Sequence, residues 1–266
     1  MVKKLFKHEF LAMGRLILPL IIGILGIGTL TRLIYLFESD TVIFNIVGIS
    51  AFILLFIGII ASLVLCTVFG IIRFYKNLFC SEGYLSFTLP VTPTQHLVVK
   101  LLTAVTCFIL IVTAGFASLC IAFSGEALVE IFKAIGFILN GFADCIGTTN
   151  TILYIVEFLL LLLLSVFYMY LLFYTCITIG QTAKKGRIGK AIATYFIYYG
   201  ITQVVGTTFV IINALLGNKG IAGFAEAEPE LFIHTFFCVE IAVISVLSLV
   251  FFLISRHIMN KRLNIE

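Results

Sequence analysis

The stretch IFNIVGISAFILLFIGIIASLVLCTVFGII, residues 43–72, carries no charged side chain over 30 consecutive positions. A hydrocarbon core of about 30 Å needs about 20 apolar residues at a helical rise of about 1.5 Å, so this run is long enough to cross a bilayer with tilt to spare. It has no alternation of apolar and polar residues, which a barrel strand would require. In lipid the backbone is satisfied only by helices or closed barrels, so the run is read as a transmembrane helix.

Outward from it, comparable runs cover about 16–36, 98–124, 150–180, 189–216 and 232–255. Composition agrees: 62% of the 266 residues are hydrophobic and 11% charged, far from the roughly 45–50% and 25% of soluble domains. The fold class read from the sequence is an all-α integral membrane protein, a six-helix bundle in a single domain over 1–266. The basic residues lie in short clusters beside apolar runs rather than along a face with interleaved aromatics, so nucleic acid is not an expected partner. The seven cysteines are odd in number and lack a C-x-x-C pair, which supports neither a disulfide framework nor a zinc site; most are read as fillers of helix interiors. Lys3, Lys4 and Lys7 precede an apolar run of about 20 residues with no small-residue cleavage site, so it is read as a retained first helix rather than a signal peptide.

Lysine and arginine set the orientation. With the N-terminus inside, only Arg32, Lys133 and Lys219 of the 17 basic residues fall in the outer half. Six spans with both termini cytoplasmic are thus expected.

Three segments between or before the spans carry further information. Over residues 2–14, Val2, Leu5, Phe6, Phe10 and Met13 share one helical face, with Lys3, Lys4, Lys7 and His8 opposite; Glu9 and Leu11 interrupt the pattern. That is the pattern of an elbow helix lying among the headgroups, the alternative being a simple basic anchor. The stretch RFYKNLFCSEGYLSFTLPVTPTQHLVVK, 73–100, contains Pro90 and Pro93, which forbid one continuous helix, and is too apolar for a solvated linker. It is covered either by the protein's own helix ends and the headgroups or by a cytoplasmic partner. Residues 125–145 show helical spacing of Leu128, Ile131, Phe132 and Ile135, with an apolar part too short to span, and are expected as an outer interfacial or re-entrant helix.

No catalytic signature is present. The nearest approach to a P-loop, Gly186-Arg-Ile-Gly189-Lys190-Ala191, has the wrong spacing and no hydroxyl after the lysine. There is no H-E-x-x-H, no G-x-S-x-G and no metal-ligand spacing, so the chain is not expected to be an enzyme or to hold a metal or cofactor of its own. Two carboxylates, Glu157 and Glu240, fall inside spans. Charge at membrane depth costs several kcal/mol and marks a pathway by default, with interhelical glue as the alternative. Gln203 and Asn213 are weaker pathway candidates of the same kind. Arg32 is read as a snorkelling structural residue, and His96 and His234 as lone polar contacts.

The run Phe74 to Pro90, F-Y-K-N-L-F-C-S-E-G-Y-L-S-F-T-L-P, together with Ile179-Gly-Gln-Thr-Ala-Lys-Lys185 and the ending Ser255-Arg-His-Ile-Met-Asn-Lys-Arg-Leu-Asn264-Ile-Glu, resembles small permeases of the type-2 ATP-binding cassette exporter family of Gram-positive bacteria. The resemblance implies two six-helix permease subunits, identical or related, forming a translocation path in the bacterial plasma membrane, with ATP and Mg²⁺ bound by separate ATPase subunits below. Segment 73–97 would then hold a coupling helix between the second and third spans, with Glu82, Gly83, Tyr84, Leu85, Phe87 and Leu89 in or beside the ATPase contact. Two other readings stay open: a proton-coupled secondary transporter using Glu157 and Glu240, which calls for Gly/Pro-broken helices in matching halves, and a non-transporting membrane scaffold or sensor.

Overall fold

The computed structural model describes residues 2–37, 42–80, 91–146, 148–183, 185–216, 221 and 229–261. Among them lie α1 (Val2–Leu36), α2 (Val42–Phe79), α3 (Pro93–Ala122), α4 (Glu126–Ile146), α5 (Thr148–Gln181), α6 (Arg187–Leu216) and α7 (Pro229–Lys261), and no strand. All but α4 are long and apolar enough to cross a membrane, which makes this an all-α, multi-pass membrane protein. The six helices overlie the six expected spans, and α4 overlies the segment expected not to cross.

The elbow helix expected over 2–14 is not set apart from the first span. α1 runs unbroken from Val2 to Leu36, because nothing between Met13 and Leu16 stops a helix; the change there is one of polarity, which the backbone does not register. The single proline inside α1 is Pro19, which lacks the N–H that would bond the Arg15 carbonyl. α3 has a well-defined start: the Thr92 hydroxyl accepts from the Gln95 N–H at 3.4 Å, and the Gln95 side chain accepts from the Thr92 N–H at 3.1 Å. This capping box, with Pro93 at the first helical position, satisfies donors that the first turn would otherwise orphan.

The chain divides into two compact units, Met1–Asn77 with Phe87–Leu139 and Leu78–Ser86 with Asn140–Glu266. In the first, α1 and α3 approach closely at small residues. The Ser118 hydroxyl donates to the Ile24 carbonyl of α1 at 2.8 Å, and both Ser118 and Thr31 are fully buried. Gly28 is what permits this spacing: a Cβ there would strike the Ser118 hydroxyl and come within 2.8 Å of its carbonyl oxygen. α2 joins through Tyr35 packed on Phe52, with centroids 5.2 Å apart, and through Phe52 stacked on Phe123 of the α3 C-cap at 4.8 Å.

In the second unit α5 packs on both α6 and α7. The Tyr168 and Tyr198 hydroxyls bond each other across α5 and α6, and both rings lie against Phe251 of α7, at 5.8 and 5.3 Å. Buried Thr175 of α5 bonds the Ser255 hydroxyl at 2.9 Å and the Phe251 carbonyl at 3.1 Å. In hydrocarbon, apolar contact between helices gains little over contact with lipid, so such polar links and close approaches carry much of the association.

Alanine at position 28 is therefore expected to lower stability by about 1–3 kcal/mol through overpacking against Ser118. Gly26→Ala, whose Cβ meets nothing within 4 Å, is expected to be neutral or slightly stabilising. Thermal unfolding of both variants in detergent, followed by circular dichroism, checks this; equal melting of the two contradicts the close approach.

Candidate functional site

Two constellations of ionisable side chains stand out, one in each unit. In the first, the Glu9 carboxylate of α1 uses both oxygens on cations from two other helices. Arg73 Nε of α2 donates to Oε2 at 2.8 Å, and Lys100 Nζ of α3 donates to Oε1 at 2.8 Å. The Lys100 side chain is 5% exposed, Glu9 13% and Arg73 23%, so these are largely desolvated pairs rather than solvated surface bridges. Glu9, which interrupts the amphipathic pattern of residues 2–14, is thus the anion that the α2 and α3 ends require. Arg73 and Lys100 are also the first and last residues of the 73–100 stretch, so one carboxylate ties both of its stems to α1. The expected coupling residues Glu82, Gly83, Tyr84, Leu85, Phe87 and Leu89 lie outside the described residues.

In the second unit, Glu157 of α5 meets two residues of α7 spaced one helical turn apart, His234 and Cys238. His234 Nδ1 lies 2.7 Å from Glu157 Oε1, and Cys238 Sγ lies 3.9 Å from the same oxygen and 4.0 Å from Nδ1. The other carboxylate oxygen, Oε2, is buried with no hydrogen-bond partner among the described residues. His234 is therefore not the lone polar contact expected of it, and Cys238 is exposed rather than filling a helix interior. Glu157 and His234 thus stand as an acid and a base in close contact, and the thiol beside them adds a soft ligand atom. Carboxylate, imidazole and sulfur together make a set able to hold a metal ion.

The remaining pathway candidates do not join this cluster. Glu240, half-buried on α7, makes no hydrogen bond or ion pair with another described residue. Gln203 is exposed on α6, where its backbone carbonyl accepts from the Thr207 hydroxyl. Asn213 is committed locally, its amide donating to the Phe209 carbonyl at 3.0 Å and its oxygen accepting from the Ile221 N–H at 3.4 Å. Arg32 reaches the turn between α3 and α4: a Cβ at Gly125, whose φ of +97° favours glycine, would come within 3.3 Å of the guanidinium. His96 is buried in the first turn of α3.

No protein-family model matches the chain, and neither a curated protein nor a solved structure is significantly similar to it.

Removing only the anion of the first constellation leaves Lys100 buried beside Arg73. Glu9→Gln is expected to cost about 3–5 kcal/mol, the range for breaking one side of a buried pair. Glu9→Gln combined with Lys100→Met is expected to recover part of that loss. A denaturation series on these two variants and on Lys100→Met alone decides the point, since additive losses would mean that the charges do not act together.

Proposed function

We propose that this chain is the membrane-spanning permease subunit of an exporter driven by separate ATP-binding cassette ATPase subunits. In this reading it sits in the bacterial plasma membrane with both termini in the cytoplasm. A second permease subunit, identical or related, completes the translocation path, and ATP and Mg²⁺ are held by the partner ATPase. The reading rests on the resemblance of residues 74–90, 179–185 and 255–266 to type-2 exporter permeases, on the six apolar helices, and on the bias of lysine and arginine to one side.

The observation that carries it furthest is the Glu9 clamp. A loop that transmits the closing of an ATPase dimer to the membrane helices works only if its stems are stiffly connected to them. Glu9 bonds both stems, Arg73 and Lys100, to α1. Movement imposed on the loop then reaches α1, α2 and α3 together instead of being absorbed by slack at either stem. Binding of ATP would favour one arrangement of the permease pair and hydrolysis the other, which is alternating access by rigid-body movement.

The second reading, proton-coupled transport, draws on the Glu157–His234 contact, an acid–base pair inside candidate spans. In it Glu157 and Glu240 would carry protons separately, since Glu157 meets His234 and Cys238 and not Glu240.

The deciding experiment is co-purification from detergent extract. The wild type is expected to bring down a P-loop ATPase whose hydrolysis responds to the permease, and Tyr84→Ala and Leu85→Glu to lose it while remaining folded. A folded wild type that brings down no ATPase overturns the powered-permease reading.

A further inference from the structure

We propose that Glu157, His234 and Cys238 form a binding site for a divalent transition-metal ion of the Zn²⁺ type, with a fourth coordination position left open. The proposal does not depend on how the chain is powered.

The geometry is the first argument. A tetrahedral ion with bonds of about 2.0 Å to nitrogen and oxygen and about 2.3 Å to sulfur holds its N and O ligands about 3.3 Å apart, and each of them about 3.5 Å from the sulfur. The triangle of Glu157 Oε1, His234 Nδ1 and Cys238 Sγ has edges of 2.7, 3.9 and 4.0 Å. Opening the Oε1–Nδ1 edge by about half an ångström and drawing the thiol in by a similar amount reaches ligand spacing. The two α7 ligands sit four residues apart on one helical face, the spacing at which paired helical ligands converge on one ion.

The chemistry is the second argument. Thiolate and imidazole select Zn²⁺ and its neighbours over Mg²⁺ or Ca²⁺, which take all-oxygen sites. Coordination through Oε1 also puts a cation beside the buried Glu157 Oε2, which has no hydrogen-bond partner among the described residues.

Charge is the third. A Zn²⁺ ion with one thiolate, one carboxylate and a neutral imidazole sums to zero, so the loaded cluster sits in apolar surroundings without net charge, where a bare carboxylate is costly. Ligation through sulfur requires the thiol to lose its proton, which passes to water. Neither α7 ligand is closed off by the rest of the chain: Cys238 is exposed and the His234 side chain is 41% uncovered.

The test uses the full-length protein in detergent or lipid nanodiscs, with Co²⁺ as a spectroscopic probe and Zn²⁺ as competitor. The wild type is expected to bind one Co²⁺ per chain with a thiolate-to-cobalt charge-transfer band that Zn²⁺ abolishes. Cys238→Ser is expected to lose the band. Glu157→Gln and His234→Gln are expected to weaken binding at least ~10-fold, the least that loss of even an outer-shell partner costs. A wild type without a saturable band, a Cys238→Ser protein that keeps it, or Glu157 and His234 variants that bind as tightly as wild type would overturn the site. A second readout needs no variant: Zn²⁺ should slow alkylation of Cys238 but not of Cys80, measured by mass spectrometry. Unchanged alkylation of Cys238 at saturating Zn²⁺ has the same overturning force.

Discussion

Helices in hydrocarbon gain little from touching one another, because lipid tails cover an apolar side chain as well as a neighbouring helix does. Each contact between helices must therefore come from something that lipid does not offer: a close approach, a hydrogen bond or an ion pair. Gly28 against Ser118, the Ser118 hydroxyl on the Ile24 carbonyl, Thr175 on Ser255 and Phe251, and Tyr168 on Tyr198 are all of this kind. The Glu9 clamp is the extreme case, with a single carboxylate holding cations from two other helices. Small and polar residues scattered through apolar runs are thus the fasteners of each unit.

This division of labour explains what could be read from the sequence. Spans announce themselves by length and lack of charge, so all six membrane-length helices and the shorter α4 were legible as segments. Pairings between helices are not local, and no periodicity within α1 tells that Glu9 will find residues 64 and 91 positions further on. The misfit itself was a signal, since an acid that interrupts a basic amphipathic face needs a reason. His234 was likewise read alone, although the His-x-x-x-Cys spacing on one helix already paired it with Cys238. Glu157 supplied the third member from a helix about 80 residues away, a distance no local pattern reports. The join between residues 2–14 and the first span is likewise not marked in the backbone: polarity changes there, but no residue interrupts the helix.

The two constellations differ in kind. At Glu9 every charge has an opposite within 2.8 Å, and the cluster is saturated by protein alone. Around Glu157 the accounting is incomplete: one carboxylate oxygen is buried without a partner, the thiol stands at long range, and two of the three groups are open to their surroundings. Saturated clusters fasten, whereas incomplete ones leave valences for something that arrives.

Pro19 gives α1 a mechanical character as well. It stands 10 residues after Glu9 and 9 before Gly28, almost midway between the ion pairs that grip one end of the helix and the glycine contact that grips the other. At that point the backbone lacks one hydrogen bond, so bending there costs less than elsewhere in the helix. α1 is thus fastened on either side of a turn that lacks one backbone hydrogen bond.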